Sequence, residues 1–260
     1  MRERITALVL GLMFLTVGCS ERKLSVGQSS DELERRRQRI LEQEAKKSPE
    51  ADARKARSMA IIKAEGVPFN EYLPTIATVA ESKRRTTEEV AVRAMSLCVV
   101  AAKGEGLKQA DIDRLIQDFK LADALTPNEK EFIRNPNPSD HDRAQFTWRY
   151  EAYWVLLWSL GFIDKLERPE KICDVGRAVA FLTDNGRDGF LRKAKLRPQA
   201  EILDAADLIY RYAWATDDAR LNKKEFPARL NNDIVVERHH ALNWLIGYME
   251  QEWDDISTDT

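Results

Sequence analysis

The sequence predicts an all-α protein: a single globular multi-helix domain with a long central apolar helix, preceded by a charged helical or flexible tether. Three observations carry this. Apolar residues recur at three- and four-residue steps over most of the chain beyond Val67, which is the period of one helix face. Helix start signals, in which Ser, Thr or Asn stands before a proline or an acidic residue, punctuate the same region. No alternating apolar and polar run of useful length marks a strand, and no repeat of fixed period occurs.

Residues 1–18 have the pattern of a signal peptide. Met1-Arg2-Glu3-Arg4 is short with a positive balance, and Ile5–Val17 is an apolar core too short for a stable membrane span. It ends in Leu15-Thr16-Val17-Gly18-Cys19-Ser20, which resembles a bacterial lipoprotein signal with Cys19 as the lipidated residue (palmitate among its acyl chains). The usual Leu of that signal would stand at Thr16. The alternative is an ordinary secretory signal with an incidental cysteine. Lipidation would anchor the chain to the cell envelope, at the outer membrane if the cell has one, because Ser20 is not the Asp that retains such proteins. Several acyl chains anchor durably where one does so marginally.

Residues 19–66 read as the tether. Glu21–Ser30 is polar and holds Gly27. Asp31–Lys47 is strongly charged, with Leu33, Ile40 and Leu41 as its apolar points, and suits an exposed helix of i,i+4 ion pairs. Pro49–Glu65 fits a conditional helix partly docked on the domain, with Ser48 as cap and Pro49 at the first helical position.

Residues 67–260 form the predicted domain. Pro68 and Pro74 bracket an extended lead-in. Thr86 and Glu89 make a capping box for a helix Thr87–Lys103 that Gly104 would stop, with Val90, Ala94, Leu97, Cys98 and Ala101 inward. Lys108–Leu121 is amphipathic through Ile112, Leu115, Ile116 and Phe119. Thr126-Pro127-Asn128-Glu129 starts a short helix that ends before Asn135-Pro136-Asn137-Pro138.

The central helix follows, capped by Ser139 or Asp140 and ended by Gly161. Phe146, Tyr150, Tyr153, Trp154, Leu157 and Trp158 mark one face, and Val155, Leu156 and Leu160 fill the others, so burial on most sides is expected. Its uninterrupted apolar run covers about 12 residues, roughly 18 Å, against the ~30 Å of a bilayer core. Pro169–Leu182 is the next expected helix, through Ile172, Val175, Val179 and Leu182, followed by a turn at Asp184–Gly189. That turn resembles a calcium loop in composition only. Arg197–Leu221 is a long helix, Asn231 caps a last one over Ile234–Met249, and Trp253–Thr260 is the tail.

Several of these segments together carry a likeness. They are Trp148-Arg149-Tyr150-Glu151-Ala152 with Leu157–Gly161, Arg197–Asp204 through Asp207–Arg211, Glu237-Arg238-His239 with Ala241–Trp244, and Trp253-Asp254-Asp255 with Thr258-Asp259-Thr260. Together they resemble the bacterial domain-of-unknown-function family 4272 over roughly Val67 to the end. The resemblance implies a domain and no activity, cofactor or catalytic residue.

Composition narrows function by exclusion. The formal net charge is −2, with no global basic excess of the kind nucleic-acid binding needs. Cys98 and Cys173 sit in apolar contexts typical of buried free thiols, although export would permit a disulfide. No HExxH, CxxC pair, GxSxG, Walker loop or GxGxxG occurs, so no cofactor and no metal is implied. One polar set stands out: Arg149, Glu151, Glu201, Asp204, Asp207, Arg211, Glu237, Arg238, His239, Asp254 and Asp255. These residues could line one cleft, with carboxylates for acid/base work or a divalent cation. They could equally be an intramolecular ion-pair and capping network, since buried charges are normally paired. The functional expectation is a lipid-anchored, envelope-facing, non-catalytic interaction module with the membrane and a possible protein as partners. The alternative is a metal-assisted or acid/base hydrolase using the carboxylates.

Overall fold

The computed structural model describes Arg35, Gln38 and residues 48–260. The expectations on the leader, Cys19 and nearly all of the charged stretch 31–47 lie outside the described residues. Regular structure among the described residues is helical, without a strand. They form two compact units interleaved in sequence: Thr86–Leu166 with Ile172–Leu196, and residues 48–85 with Glu167–Lys171 and Arg197–Thr260. None of the described helices is long and apolar enough to cross a membrane.

Label the helices α1 (Pro49–Ala64), α2 (Thr87–Glu105), α3 (Gln109–Asp118), α4 (Pro127–Arg134), α5 (Asp140–Thr147), α6 (Arg149–Ser159), α7 (Val175–Lys193), α8 (Gln199–Leu221) and α9 (Asn232–Leu245). The first unit is built around α2, which is buried almost continuously from Val90 to Gly104 and lies against α3, α4, α5, α6 and α7. Each fully buried Val or Leu there contributes roughly 1.5–3 kcal/mol. The Thr86–Glu89 capping box forms as its residue pattern predicts. The stop does not. Gly104 stays helical and Gly106, at φ 103°, ends the helix. Gly104 instead answers to packing, because a Cβ there would lie 2.6 Å from Thr147 Oγ1 and 2.8 Å from the Arg143 carbonyl.

The expected long helix over Trp148–Ile163 is a correction as well. The chain makes two shorter helices, α5 and α6, that meet at Trp148, and α6 has 11 residues. The Thr147 hydroxyl donates back to the Arg143 carbonyl, and the Glu151 N–H donates to Trp148 O, a three-residue step. Back-bonding of this kind bends helices, and a three-residue step tightens the turn. Burial follows the apolar pattern nonetheless: Tyr150 through Leu160 are buried. The central place belongs to α2, with α6 beside it.

Two further expectations change. The helix expected from Pro169 begins at Val175, where Asp174 accepts the Arg177 N–H as N-cap, and Ile172 is exposed. Asp184–Gly189 is no free turn, since α7 runs through it with a kink at Gly186, φ 59°.

In the second unit α8 lies against both α1 and α9. Helix α1 is capped by Ser48 with Pro49 at its start and buries Ala51, Arg54, Ser58 and Ile62, one face at three- and four-residue steps. Asn231 caps α9 through the N–H groups of Asp233 and Ile234. The tail returns onto α9: Trp253 lies edge-on to His240 at 4.7 Å and to Trp244 at 5.5 Å between ring centroids.

Candidate functional site

The irregular stretch between α1 and α2 cannot satisfy its own backbone, and buried carbonyls need donors. Side-chain cations supply them. Arg54 donates to Ala77 O, Lys55 to the carbonyls of Glu71 and Leu73, and Arg211 Nη2 to Pro74 O at 3.2 Å. Burial, the largest influence on Lys55, lowers its pKa.

Arg211 is held in turn by Asp207 through two bonds, Nε–Oδ2 at 3.0 Å and Nη2–Oδ1 at 2.7 Å, with both side chains 1% exposed. This bidentate geometry is the strong form of an ion pair. Asp204 accepts from Arg54 at 3.2 Å and Arg57 at 2.6 Å, and Glu201 accepts from Arg197 at 3.2 Å. Glu201, Asp204 and Asp207 on α8 are therefore each met by an arginine.

The other predicted residues of this unit fall in different surroundings. Glu237, Arg238 and His239 are buried on α9, where Arg238 donates to the Glu167 carbonyl. The His239 ring lies 6.0 Å from that of Tyr210, and its Nδ1 is buried without a hydrogen-bond partner among the described residues. Burial lowers its pKa to about 4, partly opposed by the charges of Asp217 and Asp259. Asp254 and Asp255 are half-buried in the short turn that Trp253 anchors.

Arg149 and Glu151 belong to the first unit. Arg149 is half-buried at the start of α6. Glu151 is buried and accepts the backbone N–H of Cys173. In the same unit Arg93 and Glu129 form a buried pair, and Lys103 donates to the carbonyls of Ile133 and Asn135. Cys98 and Cys173 are buried free thiols, and burial pushes Cys98 up to about 12, so it stays protonated and unreactive. His141 is exposed near the start of α5.

A further constellation in the second unit escapes sequence reasoning. Glu65 Oε2 accepts from Arg168 Nε at 2.8 Å and from the Tyr212 hydroxyl at 2.6 Å. Arg168 also pairs with Glu170 and donates to Ala228 O at 2.7 Å. Burial is the largest cause raising the Tyr212 pKa, with its bond to Glu65 next. The sequence separates these groups too widely for any local pattern to join them. Arg54 did carry a signal, since it sits in register with Ala51, Ser58 and Ile62 on the inner face of α1.

Among the described residues no three of His, Cys, Asp or Glu are arranged to hold a metal ion. The model of the family described as Domain of unknown function (DUF4272) matches residues 54–256. The chain belongs to this family. The DUF4272 match opens within α1 and closes just after the Trp253 turn, so it takes in both units and the clamped segment. No curated protein and no solved structure matches the chain.

Proposed function

We propose that this DUF4272 protein is a lipid-anchored component of the bacterial cell envelope, held through Cys19, whose helical part binds a partner rather than catalysing a reaction. The observation that carries the non-catalytic reading is the fate of the carboxylates. An acid/base residue or a cation ligand needs a carboxylate free to exchange its proton or its partner. Both oxygens of Asp207 are taken by Arg211, Asp204 is shared by Arg54 and Arg57, Glu201 is met by Arg197, and Glu151 receives a backbone N–H. Such an arrangement spends its charge on holding the fold. The anchoring reading is supported by Leu15–Ser20 following an apolar leader.

Cys19→Ser tests the anchor. The native chain should fractionate with membranes and carry acyl mass on its first residue, and the variant should carry none and be released. Membrane fractionation that is unchanged in the variant contradicts the anchor. The binding reading is tested with the processed chain as bait in envelope extract, alongside thermal melts with added divalent cations. A stoichiometric partner without a cation-dependent shift supports it. A large cation-dependent shift together with hydrolytic turnover contradicts it.

A further inference from the structure

We propose that the surface formed by the end of α8 and the loop that leaves it, residues 220–229, docks on an anionic phospholipid bilayer. The proposal builds on the lipid anchor, which would bring such a surface within reach of the folded chain.

The stretch reads Arg220-Leu221-Asn222-Lys223-Lys224-Glu225-Phe226-Pro227-Ala228-Arg229, its first two residues closing α8, with four basic side chains against one acidic one. Leu221 is 72% exposed and Phe226 41%, which places apolar groups between the cations in open solvent. Basic side chains with exposed apolar groups among them match a headgroup layer. Lys and Arg are drawn to the anionic surface, and Leu and Phe gain by entering the boundary beneath it.

The display is held from behind. At one end Lys224 N–H donates to Ala219 O at 2.8 Å, and at the other Leu230 N–H donates to Pro227 O at 3.0 Å. Ala219 and Leu230 are themselves buried, and Ala228 O accepts from Arg168. Lys223, Ala228 and Arg229 take left-handed backbone, φ 52°, 49° and 62°. For residues with a Cβ that conformation costs of order 1–3 kcal/mol each and persists where the surroundings enforce it.

The cations differ in how available they are. Arg220 is shared with Asp217, and Arg229 with Glu170 at 3.4 Å. The side chains of Lys223 and Lys224 enter no ion pair with a described residue. They are therefore the pair to test. An acidic protein surface is the competing occupant. The bilayer is preferred because the chain's own leader points to one, and because exposed Leu and Phe add to binding there without a matching pocket.

The experiment uses the processed chain, residues 19–260 with Cys19→Ser, so that no acyl chain contributes. Binding is measured by co-sedimentation with phosphatidylglycerol-rich vesicles and with pure phosphatidylcholine vesicles at about 0.1 M salt. The expected result is retention on the anionic vesicles alone. Lys223→Gln with Lys224→Gln should weaken it roughly thirtyfold, from about fivefold per lysine. Leu221→Ser with Phe226→Ser should also weaken it, with circular dichroism and melting unchanged. Absence of binding to anionic vesicles, or binding that neither pair of substitutions reduces, overturns the proposal. So does a lysine variant that loses an envelope protein partner while vesicle binding stays intact. Acylation of Cys19 is read separately by mass spectrometry of the native chain. An acylated chain whose unlipidated form ignores vesicles sinks the loop alone, and an unacylated chain that binds them sinks the anchor alone.

Discussion

Replacing Arg211 by Met is the most direct test of the clamp on the segment before α2. The substitution keeps most of the side-chain volume and removes the bidentate bond to Asp207 and the bond to Pro74 O. Asp207 would remain as a carboxylate that is 1% exposed and has lost its cation. Breaking one side of such a buried pair costs roughly 3–5 kcal/mol, most of it from the charge left behind. A domain of this size loses about 2–4 °C of melting temperature per kcal/mol, so a fall on the order of 10 °C is expected. The partner experiment separates charge from packing. Arg211→Met combined with Asp207→Leu removes both charges, and buried pairs replaced together by apolar groups are often neutral. The double variant should therefore recover most of the loss in urea or thermal unfolding of the processed chain. A single variant that unfolds within about 0.5 kcal/mol of the native chain, or a double variant no better than the single one, refutes the clamp.

Other outcomes follow from particular groups. His239 has its pKa lowered to about 4, against an unfolded value of ~6.5. The unfolded state then binds the extra proton between those values, so stability falls as pH drops from about 6.5 towards 4, by roughly 3 kcal/mol in all. Urea midpoints at pH 7.5 and pH 5 should show about 2 kcal/mol of that loss in the native chain, and His239→Gln should flatten it; an equal slope in both discards the assignment. Gly104→Ala should destabilise by roughly 1–3 kcal/mol, because the new methyl meets backbone of α5 that cannot swing aside. A melting temperature unchanged by that substitution would show that α5 yields.

The helix starts were legible because caps are local. Thr86, Thr126 and Ser139 each accept the N–H three residues on, and the acidic residue needed for the return bond stands in the sequence at that same spacing. Stops were less legible. A glycine in a sequence signals left-handed backbone or close approach alike, and Gly104 and Gly106 divide those roles through a neighbour some forty residues on. The long aromatic run read as one helix because burial and helix continuity leave the same periodic trace, and the break at Trp148 arises from hydrogen bonds of Thr147 and Glu151 that periodicity does not encode.

In the polar set the sequence showed which side chains carry charge and left their partners open. Glu201 finds Arg197 one turn away, as i,i+4 spacing anticipates. Asp204 finds Arg54 at a separation of 150 residues. Local spacing around Arg54 marks the inner face of α1 but not the partner that face meets.

That last separation bears on how the chain is made. The first unit is complete within residues 86–196, whereas the second needs α1 from near the start of the described chain and α8 and α9 from its end. On a ribosome or emerging from a translocon, the first unit can condense early, while α1 must wait with Ile62 and the inner face of Arg54 uncovered. The Pro74 carbonyl meanwhile has water and not Arg211 as its donor. Closing the ends is then a late, long-range step, of the kind that chain topology makes slow. A chain truncated before α8 would keep its middle folded and leave its N-terminal helix to proteases and chaperones.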